Sequence, residues 1–129
     1  MSTIQHIDLN PEQNWTFSTC VVAGEFVYTS HTVGITDDQG VLLESVEEQT
    51  EQTFKNLART LAAAGASIED IVQTTVYLRD LEDFHVMREV FRRQFKPGAY
   101  PTRMTATSEF LAAACKVMIV VVAYKSEQA

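Results

Sequence analysis

The segment that most constrains this chain is a continuous apolar run near its C-terminal end, KVMIVVVAY, from Lys116 to Tyr124. Side chains of a β-strand alternate between the two faces of a sheet, so a half-exposed strand alternates apolar and polar residues. This run is apolar at nearly every position, which is typical of a strand covered on both faces. We therefore predict that it forms a central strand of a sheet.

A capping signal opens the first predicted helix. Ser45 is followed three residues later by Glu48, the S-x-x-E pattern of a capping box, in which both side chains bond free backbone amides of the first turn. The helix is predicted to run to about Ala64, and Gly65 supplies a left-handed stop. Its apolar stripe, at three- and four-residue spacing, consists of Thr53, Phe54, Leu57, Leu61 and Ala64.

A second amphipathic helix is predicted to begin within residues 83–88 (DFHVMR) and to end before the break at Pro97 and Gly98. Basic residues occupy its outer side, where a solvated face is the ordinary explanation of a charge cluster. The predicted apolar face consists of Phe84, Met87, Val90, Phe91 and Phe95.

Three further β segments complete the pattern. Residues 21–32 (VVAGEFVYTSHT) are rich in β-branched and aromatic residues and are interrupted by Gly24 and Glu25, which predicts a β-hairpin. The β-branched run from Ile71 to Leu78 predicts another strand. Residues 103–109 are predicted to form the strand that precedes the apolar run.

The predicted order is ββαβαββ, an α+β fold in a single domain spanning residues 1–129. Each helical connection is long enough for a crossover between strands of one sheet, and two helices can cover only one face of it. The other face is still apolar and needs a partner, and self-association is the economical solution. The residues alone therefore predict an oligomer.

The net charge, the lack of signal-peptide and membrane-span patterns, and the cysteine spacing each argue against one class of function or site. The net charge of -7 disfavours nucleic-acid binding, which relies on basic residues that displace phosphate counterions. Residues 1–13 lack the layout of a signal peptide, and no apolar run has the length of a membrane span, so we expect a cytoplasmic protein without membrane contact. Cys20 and Cys115 show neither a C-x-x-C pattern nor metal-ligand spacing, so we expect buried thiols.

Several motifs resemble one known family. Residues 62–65 (AAAG) and 70–84 (DIVQTTVYLRDLEDF) resemble the AAG…DIVKTTVYLxDLxDF signature of the reactive-intermediate deaminase (Rid) family, also called the YjgF family. Residues 27–30 (VYTS) resemble the family's strand that leads to a small-residue loop, residues 49–56 its Q…NL helix, and residues 101–103 (PTR) its PxR motif. The resemblance spans nearly the whole chain.

This resemblance implies a chorismate-mutase-like fold that assembles as a homotrimer, with the sheets forming a central barrel and a cleft between neighbouring subunits. Members with the PxR arginine hydrolyse reactive enamines and imines, such as 2-aminoacrylate, to 2-ketoacids and ammonia. The implied substrate is a small carboxylate, with no bound cofactor or metal. Arg103 is the catalytic candidate, because a guanidinium grips a carboxylate through two parallel hydrogen bonds and stays charged.

Most positions implied to line the cleft depart from the better-studied members. Phe17 replaces a tyrosine and loses a hydroxyl donor, and His31 replaces a glycine that lets substrate approach the backbone. Arg88 replaces an asparagine and Thr105 a cysteine, while Met118 stands where the family has a glutamate thought to orient the attacking water. With one retained serine included, the predicted substrate-binding residues are Phe17, Ser30, His31, Arg88, Thr105 and Met118.

The missing glutamate leaves three alternatives open. In the first, another group, His31 or Glu109, orients the water. In the second, the substrate is a longer, dianionic ring-cleavage enamine such as 2-aminomuconate, and Arg88 is a second carboxylate clamp. In the third, the chain forms a chaperone-like trimer that binds small carboxylates without catalysis. Ribonuclease activity, attributed to relatives, is disfavoured by the acidic charge and the lack of paired histidines.

Overall fold

The computed structural model describes residues 3–125, which form six β-strands and two α-helices with short 3₁₀ turns between them. In chain order these are β1 (Ile4–Ile7), β2 (Cys20–Ala23), β3 (Phe26–Thr29), α1 (Val46–Ala63), β4 (Ile71–Leu78), α2 (Phe84–Arg92), β5 (Thr102–Thr107) and β6 (Val117–Tyr124). The predicted α+β fold with two helices is confirmed.

The strands of residues 3–125 form one sheet in the order β1-β2-β3-β6-β4-β5, so β6 lies between β3 and β4. β6 is antiparallel to both neighbours, whereas β4 and β5 are parallel and are connected by α2. The other crossover, from β3 to β4, contains α1. The predicted central position of the apolar run is confirmed, because β6 is hydrogen-bonded to a strand on each side.

The two faces of β6 differ in burial. On one face, which packs against the helices, the side chains are at most 1% exposed: Val117, Ile119, Val121 and Ala123. The side chains of the opposite face, Met118, Val120 and Val122, are only partly buried. Both helices contribute to the buried core, through residues such as Phe54 and Phe91. Within residues 3–125 the helices therefore cover one sheet face, as predicted, and no helix covers the other.

The uncovered face, which we call the open face, carries large apolar side chains. Phe26, Tyr28 and Tyr124 are 40%, 47% and 46% exposed, and the rings of Phe26 and Tyr124 lie 5.2 Å apart. Ile4 and Met104 extend this apolar surface along the outer strands and are 56% and 58% exposed. Self-association through the open face stays a prediction.

Helix α1 begins where the capping signal predicts. The Ser45 hydroxyl accepts a hydrogen bond from the Glu48 backbone amide at 3.0 Å, and the Glu48 carboxylate contacts the same hydroxyl at 3.1 Å. At the other end, Gly65 has a φ of +85°, a left-handed conformation that costs residues with a Cβ more than it costs glycine. Both helix ends are therefore encoded locally.

Three boundaries differ from the sequence analysis. Strand β1 was not predicted, because its side chains are mostly exposed and show no clear apolar alternation. It is positioned by antiparallel pairing with β2 and by Ile7, which packs against the core. Helix α2 ends at Arg92, well before Pro97, although Phe95 still packs 6.0 Å from Phe54. Strand β5 ends at Thr107, two residues earlier than predicted.

The two cysteines are buried free thiols, as predicted. Burial raises the pKa of both Cys20 and Cys115 above the usual thiol value. A raised pKa keeps the sulfur protonated and poorly nucleophilic near neutral pH. Neither thiol is therefore a candidate nucleophile.

Candidate functional site

Arg103 is positioned by the edge strand β5. It pairs in parallel register with Thr74 of β4, which is 1% exposed beneath the helices, so the Arg103 side chain points to the helix-covered face. There its guanidinium carbon lies 4.9 Å from the ring centre of Phe91 and 5.7 Å from that of Phe84, both on α2. The electron-rich faces of the two rings stabilise the positive charge of Arg103 and orient its planar guanidinium.

The side chain of Arg103 lines a cavity of about 320 Å³, which we call the arginine cavity. Its lining residues are Arg88, Phe91, Arg92, Tyr100, Pro101 and Arg103. Arg92 forms an ion pair with Glu89 at 2.5 Å. Within residues 3–125, neither Arg88 nor Arg103 forms an ion pair or a side-chain hydrogen bond.

The electrostatics of this cavity favour an anion. Partial burial and, secondly, the positive charge of Arg88 lower the pKa of Arg103. An arginine stays protonated despite such a shift, because its ordinary pKa lies so far above neutrality. A guanidinium with free donors in a partly desolvated cavity binds a carboxylate more strongly than one in open water.

Thr105 lies two residues beyond Arg103 on the same face of β5, opposite Val76, and is partly buried. It does not line the arginine cavity. Its predicted place beside the substrate stays a prediction.

A second cavity, of about 560 Å³, lies on the open face, where β4 ends and β6 begins; we call it the histidine cavity. His31 and Met118 line it, together with Tyr77 and Glu109. Most of the other lining residues are apolar. Cys115 also lines the cavity, but its raised pKa keeps the thiol protonated, so His31 and Glu109 are the groups beside Tyr77 that can exchange protons near neutral pH. His31 and Glu109 are the two residues that the sequence analysis named as replacements for the missing glutamate.

The loop that carries His31 is held from two sides. Thr32 forms a backbone bridge with Ile119 of β6, with N···O distances of 2.8 and 3.0 Å. The side-chain amide of Asn56 on α1 donates to the Val33 carbonyl at 2.8 Å. A Cβ added to Gly34 would lie 2.6 Å from backbone atoms of α1, so this close approach requires glycine.

The loop that carries Glu109 depends on a buried glutamine. Gln49 is 0% exposed; its amide nitrogen donates to the carbonyls of Leu43 and Ala114, and its oxygen accepts from the Lys116 amide, each at 2.9 Å. Arg79 also donates to the Ala112 carbonyl at 2.8 Å. These bonds fix the wall of the histidine cavity to α1 and to Arg79, the residue that follows β4.

Gln49 had no predicted role of its own. The signal that would have found it is its position four residues before Thr53 on the buried stripe of α1, where a polar side chain needs several hydrogen-bond partners.

Phe17 belongs to an aromatic stack that was not predicted from the sequence. The rings of Trp15 and Phe17 stack at 5.6 Å, and Phe17 lies 5.5 Å from the His31 ring. Between them Thr16 has a φ of +65°, a strained conformation for a β-branched residue, and such strain often occurs at functional sites. Phe17 and Ser30 border His31 but do not line the histidine cavity.

The predicted site residues therefore form two groups within one chain. Arg88 and Arg103 share the arginine cavity on the helix-covered side, whereas His31 and Met118 share the histidine cavity on the open face. The sheet separates the two cavities, so one chain does not bring these groups together.

Among residues 3–125, no three or more His, Cys, Asp or Glu side chains are arranged to hold a metal ion. No helix in this part of the chain is both long and apolar enough to cross a membrane.

Comparisons with known proteins agree on one family. The family model described as Endoribonuclease L-PSP matches residues 8–125. Reactive Intermediate Deaminase A, chloroplastic, of Arabidopsis thaliana is 38% identical over 90 residues, which are 69% of this chain and 48% of that protein. The 2-iminobutanoate/2-iminopropanoate deaminase of Homo sapiens is 33% identical over 88 residues, which are 67% of this chain and 64% of that protein. The alignments thus span about half to two thirds of these relatives.

A solved structure extends the similarity to the whole fold. The crystal structure of RidA from the Antarctic bacterium Psychrobacter sp. has a TM-score of 0.79 and 32% sequence identity, and the alignment covers 96% of this chain and 99% of that one. The match to the family model begins just after β1 and includes every element that forms the two cavities. The chain therefore belongs to the reactive-intermediate deaminase (Rid) family, also called the YjgF family.

Proposed function

We propose that this protein hydrolyses reactive imines and enamines of small 2-amino acids to 2-ketoacids and ammonia. The observation that carries the proposal is the free guanidinium of Arg103, held against Phe84 and Phe91 in a cavity without a carboxylate of its own. The names of the Arabidopsis and human relatives, both deaminases, support the same reaction class.

The chemistry asks little more of the protein than positioning. An enamine takes up a proton at its β-carbon to become the imine, and water then adds to the imine carbon and gives a carbinolamine. The C–N bond breaks as ammonia leaves, and the hydroxyl oxygen becomes the ketone oxygen as it loses its proton. Arg103 holds the carboxylate next to the reacting carbon, so that attack by water becomes effectively intramolecular.

We place this reaction between two subunits of a homotrimer. In a single chain, a carboxylate held by Arg103 lies across the sheet from His31 and Glu109. A neighbouring subunit docked along the β5 edge would complete the site by adding its own histidine cavity. The exposed aromatic side chains of the open face supply an apolar surface for such an assembly.

Within that site, His31 or Glu109 takes the place of the missing glutamate. Either side chain can accept a proton from water and return one to the leaving nitrogen. Met118 lines the same cavity but can do neither. The presence of His31 and Glu109 in this cavity therefore supports the alternative in which the protein is catalytic and a different group orients the water.

The test uses freshly generated 2-aminoacrylate and follows both enamine loss and pyruvate formation. We expect the purified protein to accelerate hydrolysis over buffer, and Arg103→Gln to abolish most of the acceleration. Rates equal to buffer with this enamine and with longer imines would overturn the proposal. Tight binding of 2-ketoacids without turnover would instead identify a non-catalytic binding protein.

Ribonuclease activity is the second candidate, because the matching family model is described as Endoribonuclease L-PSP. The net charge of -7 opposes binding of an RNA backbone. Two of the histidines, His6 and His85, lie apart on β1 and α2. An RNA cleavage assay with the wild type and Arg103→Gln tests this candidate. Cleavage that is lost in Arg103→Gln belongs to the protein, whereas cleavage by a contaminating nuclease would be insensitive to the substitution.

A further inference from the structure

The arginine cavity contains more positive charge than one carboxylate can neutralise. Arg88 lies on α2, one turn before Phe91, and faces the same cavity as Arg103. Neither guanidinium has an ionic or hydrogen-bonded partner within residues 3–125. Two unpartnered like charges in one cavity repel each other, and an anion that contacts both removes this repulsion.

The third arginine of the cavity is already neutralised. Arg92 is ion-paired with Glu89 at 2.5 Å, and that carboxylate does not line the cavity. None of the lining residues is acidic, although the chain as a whole has a net charge of -7. Arg88 and Arg103 are therefore the two cations available to a ligand.

The cavity has room for a ligand that bridges both. Its volume of about 320 Å³ is at the lower end of ordinary ligand sites, roughly 300–1,000 Å³. Phe91 and Tyr100 provide apolar contact for a short carbon chain between the two charged ends. The arrangement fits a small molecule with an anionic group at each end.

We propose that Arg88 is a specificity-determining residue and that the substrate is a dicarboxylate, an imine or enamine with a second carboxylate at the far end of its carbon chain. This inference rests on the proposed function for the reaction, since Arg103 anchors the carboxylate next to the imine carbon and Arg88 binds the distal one. A guanidinium suits both ends because its planar fork matches a carboxylate.

Binding is tested apart from catalysis with two stable ketoacids of equal chain length. 2-Oxoglutarate has a distal carboxylate, whereas 2-oxopentanoate ends in a methyl group. By calorimetry we expect the wild type to bind 2-oxoglutarate about tenfold more tightly at low ionic strength. Added salt weakens that preference, because charge interactions at exposed residues are screened.

Three variants assign the preference to one residue. Arg88→Gln should bind the two ketoacids equally, and Arg88→Lys should keep part of the preference, because it keeps the charge without the fork. Arg93→Gln is the matched control: Arg93 lies at the end of the same helix but outside the cavity, where it pairs with Glu47 and Glu51. Its preference should equal that of the wild type.

Turnover is measured with the corresponding imines, generated by oxidation of glutamate and norvaline. Arg88→Gln should raise KM for the glutamate-derived imine about tenfold more than KM for the norvaline-derived imine, whereas Arg93→Gln, outside the cavity, should leave kcat/KM for both imines unchanged. Equal wild-type affinity for both ketoacids, a preference that survives Arg88→Gln, or equally tight binding of inorganic phosphate would overturn the dicarboxylate proposal. Hydrolysis of neither imine, with the binding preference intact, would overturn the deaminase reaction instead and leave the Arg88 subsite in place.

Discussion

The guanidinium carbon of Arg103 lies 4.9 Å from the centre of the Phe91 ring, so the cation that we assign to substrate binding rests on a side chain of the buried core. Phe91 is 3% exposed and also packs against Phe54 and Phe95. The orientation of Arg103 is therefore determined by the same packing that joins α1, α2 and the sheet.

Replacing Arg103 with lysine should keep the positive charge but remove the planar, paired N–H donors of the guanidinium. We expect Arg103→Lys to lower kcat/KM for imine hydrolysis about hundredfold, because a lysine ammonium does not make the paired, parallel hydrogen bonds of a guanidinium. Steady-state kinetics with 2-aminoacrylate provide the measurement. Arg93→Lys, outside the cavity, serves as control, and equal losses in both variants would contradict a specific role for Arg103.

Replacing the ring of Phe91, which lies beneath Arg103, with a smaller side chain should affect both protein stability and substrate binding. We expect Phe91→Leu to lower the free energy of unfolding by about 1–2 kcal/mol, since the smaller side chain leaves part of a close-packed site unfilled. KM should rise as the guanidinium loses its support. Urea denaturation and kinetics test both effects. Val86→Ala, on the exposed side of α2, should change neither.

The buried amide of Gln49 should be critical for stability. Gln49→Met keeps a similar volume but leaves two carbonyls and one backbone amide without their partner. We expect a loss of about 2–4 kcal/mol, because each buried unsatisfied group costs about 1–3 kcal/mol before local rearrangement. Gln39→Met, in an exposed loop, is the control for denaturant titrations. A loss below 1 kcal/mol would mean that water replaces these bonds.

The water-orienting group should be revealed by effects on kcat. If Glu109 orients the water, Glu109→Gln lowers kcat at least tenfold with little change in KM, and His31→Gln has a smaller effect. The reverse order assigns the role to His31. Full activity in both variants would exclude each of them from the role.

Assembly should depend on the open face of the sheet. We expect the wild type to have three times the 14.5 kDa mass of one chain in light scattering. The double variant Tyr28→Asp and Tyr124→Asp should dissociate it, because two buried charges in an apolar interface remain unpaired. Leu81→Asp, at a residue that is 75% exposed on the turn before α2, should stay trimeric. A wild type with the mass of one chain would contradict the trimer.

Much of the fold follows from signals that are local in sequence. The Ser45 and Glu48 cap, the left-handed Gly65 and the continuous apolar run of β6 each specify an element or its position without reference to distant residues. The same holds for the motifs that resemble the Rid family, including the PxR segment that contains Arg103. A capping bond or an alternation pattern depends only on neighbours along the chain.

The geometry of the candidate site depends on distant pairings instead. Arg103 reaches Phe91 because β5 pairs with β4 in a register that places it opposite the buried Thr74, and a shift of one residue would turn it to the open face. The sheet also separates His31, in the loop after β3, from Arg88 on α2, although both were predicted from the sequence to share one substrate site. The sequence by itself determined every helix and strand except β1, the central position of β6, and the residue types available for chemistry. Only the tertiary structure decided which of those residues share a cavity, because strand register and helix packing set the face that each side chain occupies.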